Sequence, residues 1–178
     1  MDTIKVLDKE FVLYLKEEQI LQSISQVAQR INQDYKDKSP LFLAVLNGSF
    51  MFAADLMKGV TIPSEIQFIK LSSYQGTATT GKVVNMIGID PEKLRGRHVV
   101  IIEDIVDTGV TMRSLLASLQ DKETESVEVC TMLLKPEKLQ VELDPRYVAM
   151  EIPEKFIVGY GLDYDGYGRN LRDIYQIR

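Results

Sequence analysis

VVIIEDIVDTGVTM, residues 99–112, is the stretch from which the rest of the chain can be read. It opens with four β-branched residues, Val99, Val100, Ile101 and Ile102, enough for one buried strand and far short of a membrane span. Two adjacent acids, Glu103 and Asp104, come next, followed by Asp107 and the run Thr108-Gly109-Val110-Thr111. Beyond them Met112-Arg113-Ser114-Leu115-Leu116 is apolar at helical spacing. Strand, acidic turn, Gly/Thr loop and helix is the layout in which an open α/β sheet binds a ligand at the carboxyl end of a strand.

A loop containing Gly109 between Thr108 and Thr111 can aim backbone N–H groups and two hydroxyls at one anion. The helix that starts just beyond adds its N-terminal partial positive charge, so a phosphate fits there. Glu103, Asp104 and Asp107 would repel a phosphate, and must face a divalent cation, sugar hydroxyls or a proton to be removed. A solvated acidic turn uses the same residue types singly. The full combination after an apolar strand points to a ligand site.

The 178 residues are 45% hydrophobic and 26% charged, which predicts one globular domain over 1–178 with material for a core. With 26 acidic against 21 basic residues, the net charge of −5 argues against a broad nucleic-acid or anionic-membrane surface. Cys130 sits in an apolar alternation and reads as a buried reduced thiol. The first residues lack the apolar stretch of a signal peptide, and no apolar run approaches membrane length, so a cytoplasmic location is expected.

Ile20, Ile24, Val27, Ala28 and Ile31 repeat at helical spacing and predict a long amphipathic helix ending near Ser39-Pro40. LFLAVL (Leu41–Leu46) is the first buried strand, Asn47-Gly48-Ser49 its turn, and residues 50–58 a helix that Gly59 stops as a C-terminal cap. Residues 66–71 form the next strand, 72–82 (SSYQGTATTGK) a long small-residue loop, and 83–87 its returning partner. The one histidine, His98, has no Cys or His neighbours and is not a zinc site. VEVCTMLL (127–134) is another strand, ending in Lys135-Pro136. FIVGY (156–160) is a last short strand, leading into a segment dense in acids, tyrosines and glycines that runs to Arg169. Strands alternating with helices predict a mostly parallel twisted α/β sheet flanked by helices, with the terminal pieces forming a small cap, or hood, over the site.

EDIVDTG after VVII resembles the phosphoribosyl-pyrophosphate signature of the type I phosphoribosyltransferases, and later segments resemble the purine-salvage branch of that family. The likeness runs over about residues 41–175. It implies the type I phosphoribosyltransferase fold and transfer of ribose 5-phosphate from phosphoribosyl pyrophosphate to a 6-oxopurine, hypoxanthine or guanine, with Mg2+ present. By resemblance, Glu103 and Asp104 hold the ribose hydroxyls, directly or through magnesium-bound water. Both acids can reach one ligand only if the strand has opened into the loop, because neighbouring side chains on a strand point to opposite faces. Thr108, Gly109, Val110 and Thr111 cradle the 5-phosphate, and Asp107 takes the proton from N7. Lys135 donates to the 6-oxo oxygen, Phe156 stacks on the base, and the Ile157 backbone meets its Watson–Crick side. Asp163 lines the purine site and holds a second magnesium.

Asn47, Gly48 and Arg169 contact pyrophosphate, with Asn47 standing where a lysine is frequent in the family. The resemblance further implies a cis Asn47-Gly48 peptide when pyrophosphate is bound, a lid pair at Ser73 and Tyr74, and a homo-oligomer, dimer or tetramer. Two alternatives stay open at this stage. One is a regulator of the same fold that binds RNA or DNA, and the other is a transferase for another base such as xanthine.

Overall fold

The computed structural model describes the backbone of residues 3–74 and 83–178; the side chains of residues 72–74 and 83–85 lie outside the description. The 99–102 run is the centre of a six-stranded sheet. Its strands are β3 (Leu41–Leu46), β4 (Glu65–Tyr74), β5 (Val83–Ile87), β6 (His98–Val106), β7 (Ser126–Leu134) and β8 (Tyr147–Glu151). Their order is β5-β4-β3-β6-β7-β8, with every pairing parallel except β4 with β5. A strand flanked on both sides by parallel neighbours is buried on both faces, which is why 99–102 reads as continuously apolar.

Alternation along the strands divides the core in two. Phe42, Ala44, Val100, Ile102, Cys130 and Met132 face helices α1 (Glu17–Asp34) and α2 (Phe50–Gly59). Leu41, Leu43, Val45, Val99, Ile101 and Val129 pack against Met112, Leu115 and Leu119 of α3 (Val110–Leu119). The predicted stripe of α1 (Ile20, Ile24, Val27, Ala28 and Ile31) is buried throughout. Cys130 is buried as expected, and His98 Nδ1 lies 2.8 Å from Ser126 Oγ in a structural contact.

A second sheet comes from the chain termini, in the order β1 (Thr3–Val6), β2 (Lys9–Leu15), β10 (Ile174–Ile177) and β9 (Ile157–Val158). It is the predicted cap. Val6, Phe11 and Val158 form its own small core, with Tyr164 and Leu171 packed against them. The Asp173 carboxylate accepts from the Glu17 backbone N–H at 2.7 Å, tying the cap to the start of α1.

Several local expectations change: α1 ends at Asp34, short of Ser39-Pro40, and β4 runs on to Tyr74, so that 72–74 are strand and not loop. Glu103 and Asp104 lie within β6, not in a turn after it. β6 pairs with β7 as far as Val106↔Leu134, but with β3 only as far as Ile102↔Ala44, so one edge opens at the acids while the other stays paired. Among the described residues the cis peptide is Leu46-Asn47 and Asn47-Gly48 is trans, while the expected cis Asn47-Gly48 bond concerns the pyrophosphate-bound state. Gly59 is the last residue of α2, and the C-terminal role passes to Asn32 of α1. The Asn32 amide donates to Gly59 O and its carbonyl accepts from Thr61 N–H, both at 2.9 Å.

Gly59 is needed for space, since a Cβ there would lie 2.7 Å from Ala28 Cβ. A helical Gly→Ala change ordinarily stabilises by about 1 kcal/mol. Here the added methyl must push α1 and α2 apart, so Gly59→Ala is expected to destabilise by about 1–3 kcal/mol, as overpacking does. Denaturant unfolding reads the sign directly, and a more stable variant would contradict this packing account.

Candidate functional site

The site lies at the carboxyl ends of β3, β6 and β7. Glu103, Ile105, Val106, Asp107, Thr108, Gly109, Thr111 and Met112 line a cavity of about 100 Å³. Gly109 has φ 78° and precedes the first turn of α3. The segment after β7 closes over it: a Cβ on Gly109 would lie 3.0 Å from Val141 and 3.1 Å from Leu139 side-chain atoms. Gln140 N–H donates to Thr108 O at 2.9 Å, fixing the loop from the same side. Val110 and Thr111, exposed at the N-terminus of α3, leave that end open to an anion.

Asp107 sits between two ammonium groups. Lys135, only 5% exposed, leaves β7 with its backbone N–H on Val106 O at 3.0 Å and donates from Nζ to Asp107 Oδ2 at 3.0 Å. Pro136–Lys138 then forms a 3-10 turn, whose three-residue period stacks position 138 over 135. Lys138 Nζ donates to Oδ2 at 3.3 Å and approaches Oδ1 to 3.0 Å. That second contact is an ion pair without hydrogen-bond alignment, and Oδ1, though buried, has no hydrogen-bond donor among the described residues. Burial works to raise the Asp107 carboxyl, but the hydrogen bonds from Lys135 and Lys138 outweigh it and hold the group below its ordinary value.

The other two acids are in the opposite state. Burial pushes Glu103 well above the usual carboxylate range, and the adjoining Asp104 carboxylate adds to it. Burial also raises Asp104, against contrary pulls from its contact with Glu103, the Ile105 N–H at 2.8 Å and the Arg169 guanidinium. A pair of half-buried acids that favour a shared proton suits a divalent cation, whose charge replaces the proton. Magnesium binds through one or two carboxylates plus substrate phosphates, so a full protein cage is not required. Among the described residues no group of three or more metal-ligating side chains gathers.

The turn after β3 meets these acids closely. A Cβ on Gly48 would overlap the Asp104 carboxylate, and one on Gly161 would overlap Gly48 O. Asn47 is exposed at the same turn. Arg169 donates to Gly161 O at 2.7 Å and pairs with Asp163 at 2.6 Å, while Asp163 also accepts from Gly166 N–H at 2.7 Å. The Tyr160 hydroxyl donates to Asp55 of α2, pinning the 159–161 turn against the helix that follows Gly48. Phe156 is 45% exposed, edge-on to Tyr164 with ring centroids 5.8 Å apart, and Ile157 beside it is buried.

Thus Glu103, Asp104, Asp107, Thr108, Gly109, Thr111 and Lys135 come together, with Asn47, Gly48, Asp163 and Arg169 on the side facing Asp104. Ser73 and Tyr74 pair with Val84 and Val83 in the β4–β5 hairpin; the loop beyond them, 75–82, lies outside the described residues. Sequence reading passed over Lys138, Asp55 and Tyr160. The Lys-Pro-Glu-Lys spacing was the one local signal for Lys138, whereas the Asp55–Tyr160 contact spans 105 positions.

The acid pair also sets a stability expectation. A carboxyl whose folded-state value is raised contributes stability below its unfolded value, near 4.3, and loses it as pH rises above that. Glu103→Gln removes this loss. The ligand-free variant should therefore melt about 2 °C or more above the parent at pH 7, with the gap closing near pH 4. A variant that melts at or below the parent at pH 7 would contradict a buried, proton-seeking Glu103.

Residues 13–165 match the family model described as the phosphoribosyl transferase domain. The chain is 40% identical over 164 residues to the hypoxanthine-guanine phosphoribosyltransferase of Streptococcus agalactiae serotype V, covering 92% of this chain and 91% of that one. It is 36% identical over 154 residues to the enzyme of the same name from Streptococcus pneumoniae, covering 86% of each. A solved structure of Trypanosoma cruzi hypoxanthine phosphoribosyl transferase superposes with a TM-score of 0.86 at 35% identity, covering 98% of this chain and 95% of that one. The strand–acid–Gly/Thr loop at its centre, the sheet around it and these likenesses over most of its length agree: the chain belongs to the phosphoribosyltransferase family.

Proposed function

We propose that this chain carries out purine salvage, moving the 5-phosphoribosyl group from phosphoribosyl pyrophosphate to hypoxanthine and guanine and releasing pyrophosphate. The observation that carries this is the buried Lys135 ammonium on Asp107, beside an anion-binding loop at the end of the central strand. An acceptor for a proton and a buried donor for an oxo group, side by side, fit a 6-oxopurine. The nucleic-acid-binding alternative finds no support in the relatives described.

In this account the 5-phosphate sits on Thr108, Gly109, Val110 and Thr111 at the N-terminus of α3. Glu103 and Asp104 lie beneath the ribose, holding its hydroxyls and, through them or through water, magnesium. Gly48, with no side chain to obstruct, lets the Asn47-Gly48 backbone approach pyrophosphate, and Arg169 supplies the cation that Asn47 lacks. Magnesium, when bound, neutralises the pyrophosphate leaving group, and Asp163 is the candidate holder of a second ion. Phe156 stacks on the purine and the Ile157 backbone reads its edge. Ser73 and Tyr74 belong to a lid that keeps water from the cationic ribose carbon. Asp107 takes the N7 proton, and Lys135 turns from Asp107 to the 6-oxo oxygen. That donor discriminates against adenine, whose 6-amino group offers no acceptor there. Residues 1–178 act as one catalytic domain, in a cytoplasmic homo-oligomer.

Truncating Lys135 leaves the oxo oxygen unpaired in a desolvated pocket, at a cost of about 1.5–3 kcal/mol for a charge-assisted bond. Lys135→Ala should therefore raise the KM for hypoxanthine by about 10-fold or more, with the KM for phosphoribosyl pyrophosphate changed only a few-fold. Equal increases for both substrates would show that Lys135 does not read the base.

A further inference from the structure

We propose that Lys138 is a positioning residue for Asp107, holding its carboxylate in place while Lys135 turns to the purine. The inference rests on Asp107 being the base. Both lysines point their hydrogen bonds at one oxygen, Oδ2, at 3.0 and 3.3 Å. The other oxygen, Oδ1, is buried, close to Lys138 at 3.0 Å, and without a hydrogen-bond donor among the described residues. Oδ1, closed off from the cavity beside Lys138, is thus the oxygen by which the group is held, and Oδ2 is the one that comes free for a proton when Lys135 leaves.

The two cations have different freedom. Lys135 follows directly on β7 and is the group the purine oxo oxygen would draw away. Lys138 has no such competitor. Its ammonium is braced from behind by Glu154 at 3.4 Å, and its backbone is fixed by the 3-10 turn, with Lys138 N–H on Lys135 O at 3.1 Å. When Lys135 leaves, the half-buried carboxylate would without Lys138 face the purine with no cationic partner, and its tendency to take up a proton from solvent would rise. The charged groups around Asp107 among the described residues are Lys135 and Lys138, with Glu154 behind Lys138 and Glu103 on the same cavity. Once Lys135 is on the substrate, Lys138 is the remaining cation in contact.

The proton balance is closed. As N9 bonds to the ribose carbon, the carbon–oxygen bond to pyrophosphate breaks and its electron pair leaves with pyrophosphate. The N7 proton passes to Asp107 Oδ2, which Lys135 has vacated, and Lys138 stays on Oδ1 through the transfer.

The test is the pH profile of kcat, which reports the substrate-bound enzyme. In Lys138→Met the acid limb should move up by about one pH unit or more, the usual effect of removing a contacting opposite charge. That amounts to a tenfold or greater loss at a pH on that limb, with the KM for phosphoribosyl pyrophosphate little changed. Lys138→Arg should restore the limb. An unmoved limb, or a loss equal at every pH, would overturn the proposal. Asp107→Asn, measured alongside, separates the two ideas. A fall in kcat of about 10²–10⁴-fold keeps Asp107 as the base even if the Lys138 limb does not move, whereas parent-like kcat would overturn the reading of Asp107 and the role of Lys138 with it.

Discussion

Gly48 has no room for a side chain, because the Asp104 carboxylate fills the place of its Cβ and Gly161 presses on its carbonyl from the other side. Three segments far apart in sequence meet at this one residue: the turn after the first core strand, the open edge of the central strand, and the loop of the terminal cap. The cap has a small core of its own, and it is registered over the main sheet by this contact, by Tyr160 on Asp55 and by Asp173 on the start of α1. The close approach, together with those two ties, sets the Arg169–Asp163 pair beside Asp104.

Two kinds of acid are built within five residues of one chain. Asp107 is surrounded by ammonium groups and kept as an anion, while Glu103 and Asp104 are crowded together with Arg169 as their nearest cationic influence. The first arrangement suits a group that must accept a proton, and the second a pair that awaits positive charge from a ligand. The difference comes from the strand partners. Beside β7, Lys135 and Lys138 are delivered to Asp107, whereas beside β3 the pairing ends at Ile102↔Ala44 and leaves Asp104 facing a bare glycine turn.

Much of this was legible in the residues. Continuous apolar runs at 41–46 and 99–102 and the i, i+4, i+7 stripe from Ile20 to Ile31 gave two core strands and α1, because burial there is decided by local pattern. The anion loop was legible from Gly109 between two threonines. Of the cap strands, β9 was legible as FIVGY, but β1 and β10 were not, since TIKV and IYQI mix polar and apolar residues and are strands only because the two chain ends pair through β2. Glu103 and Asp104 read as a turn because acids usually end strands, and only the unequal pairing on the two sides of β6 keeps them extended. Gly59 read as a cap because its neighbour Ala28 lies 31 positions away in sequence. Roles such as those of Lys135 and Phe156 came from family likeness, as nothing in their local sequence distinguishes them from a solvated lysine or a surface aromatic.

The most direct measurement is product formation with phosphoribosyl pyrophosphate, magnesium and each base in turn. The account predicts nucleotide and pyrophosphate from hypoxanthine and from guanine, in equal amounts of the two products, and none from adenine. Adenine turned over as well as hypoxanthine, or no nucleotide from any 6-oxopurine, would contradict it.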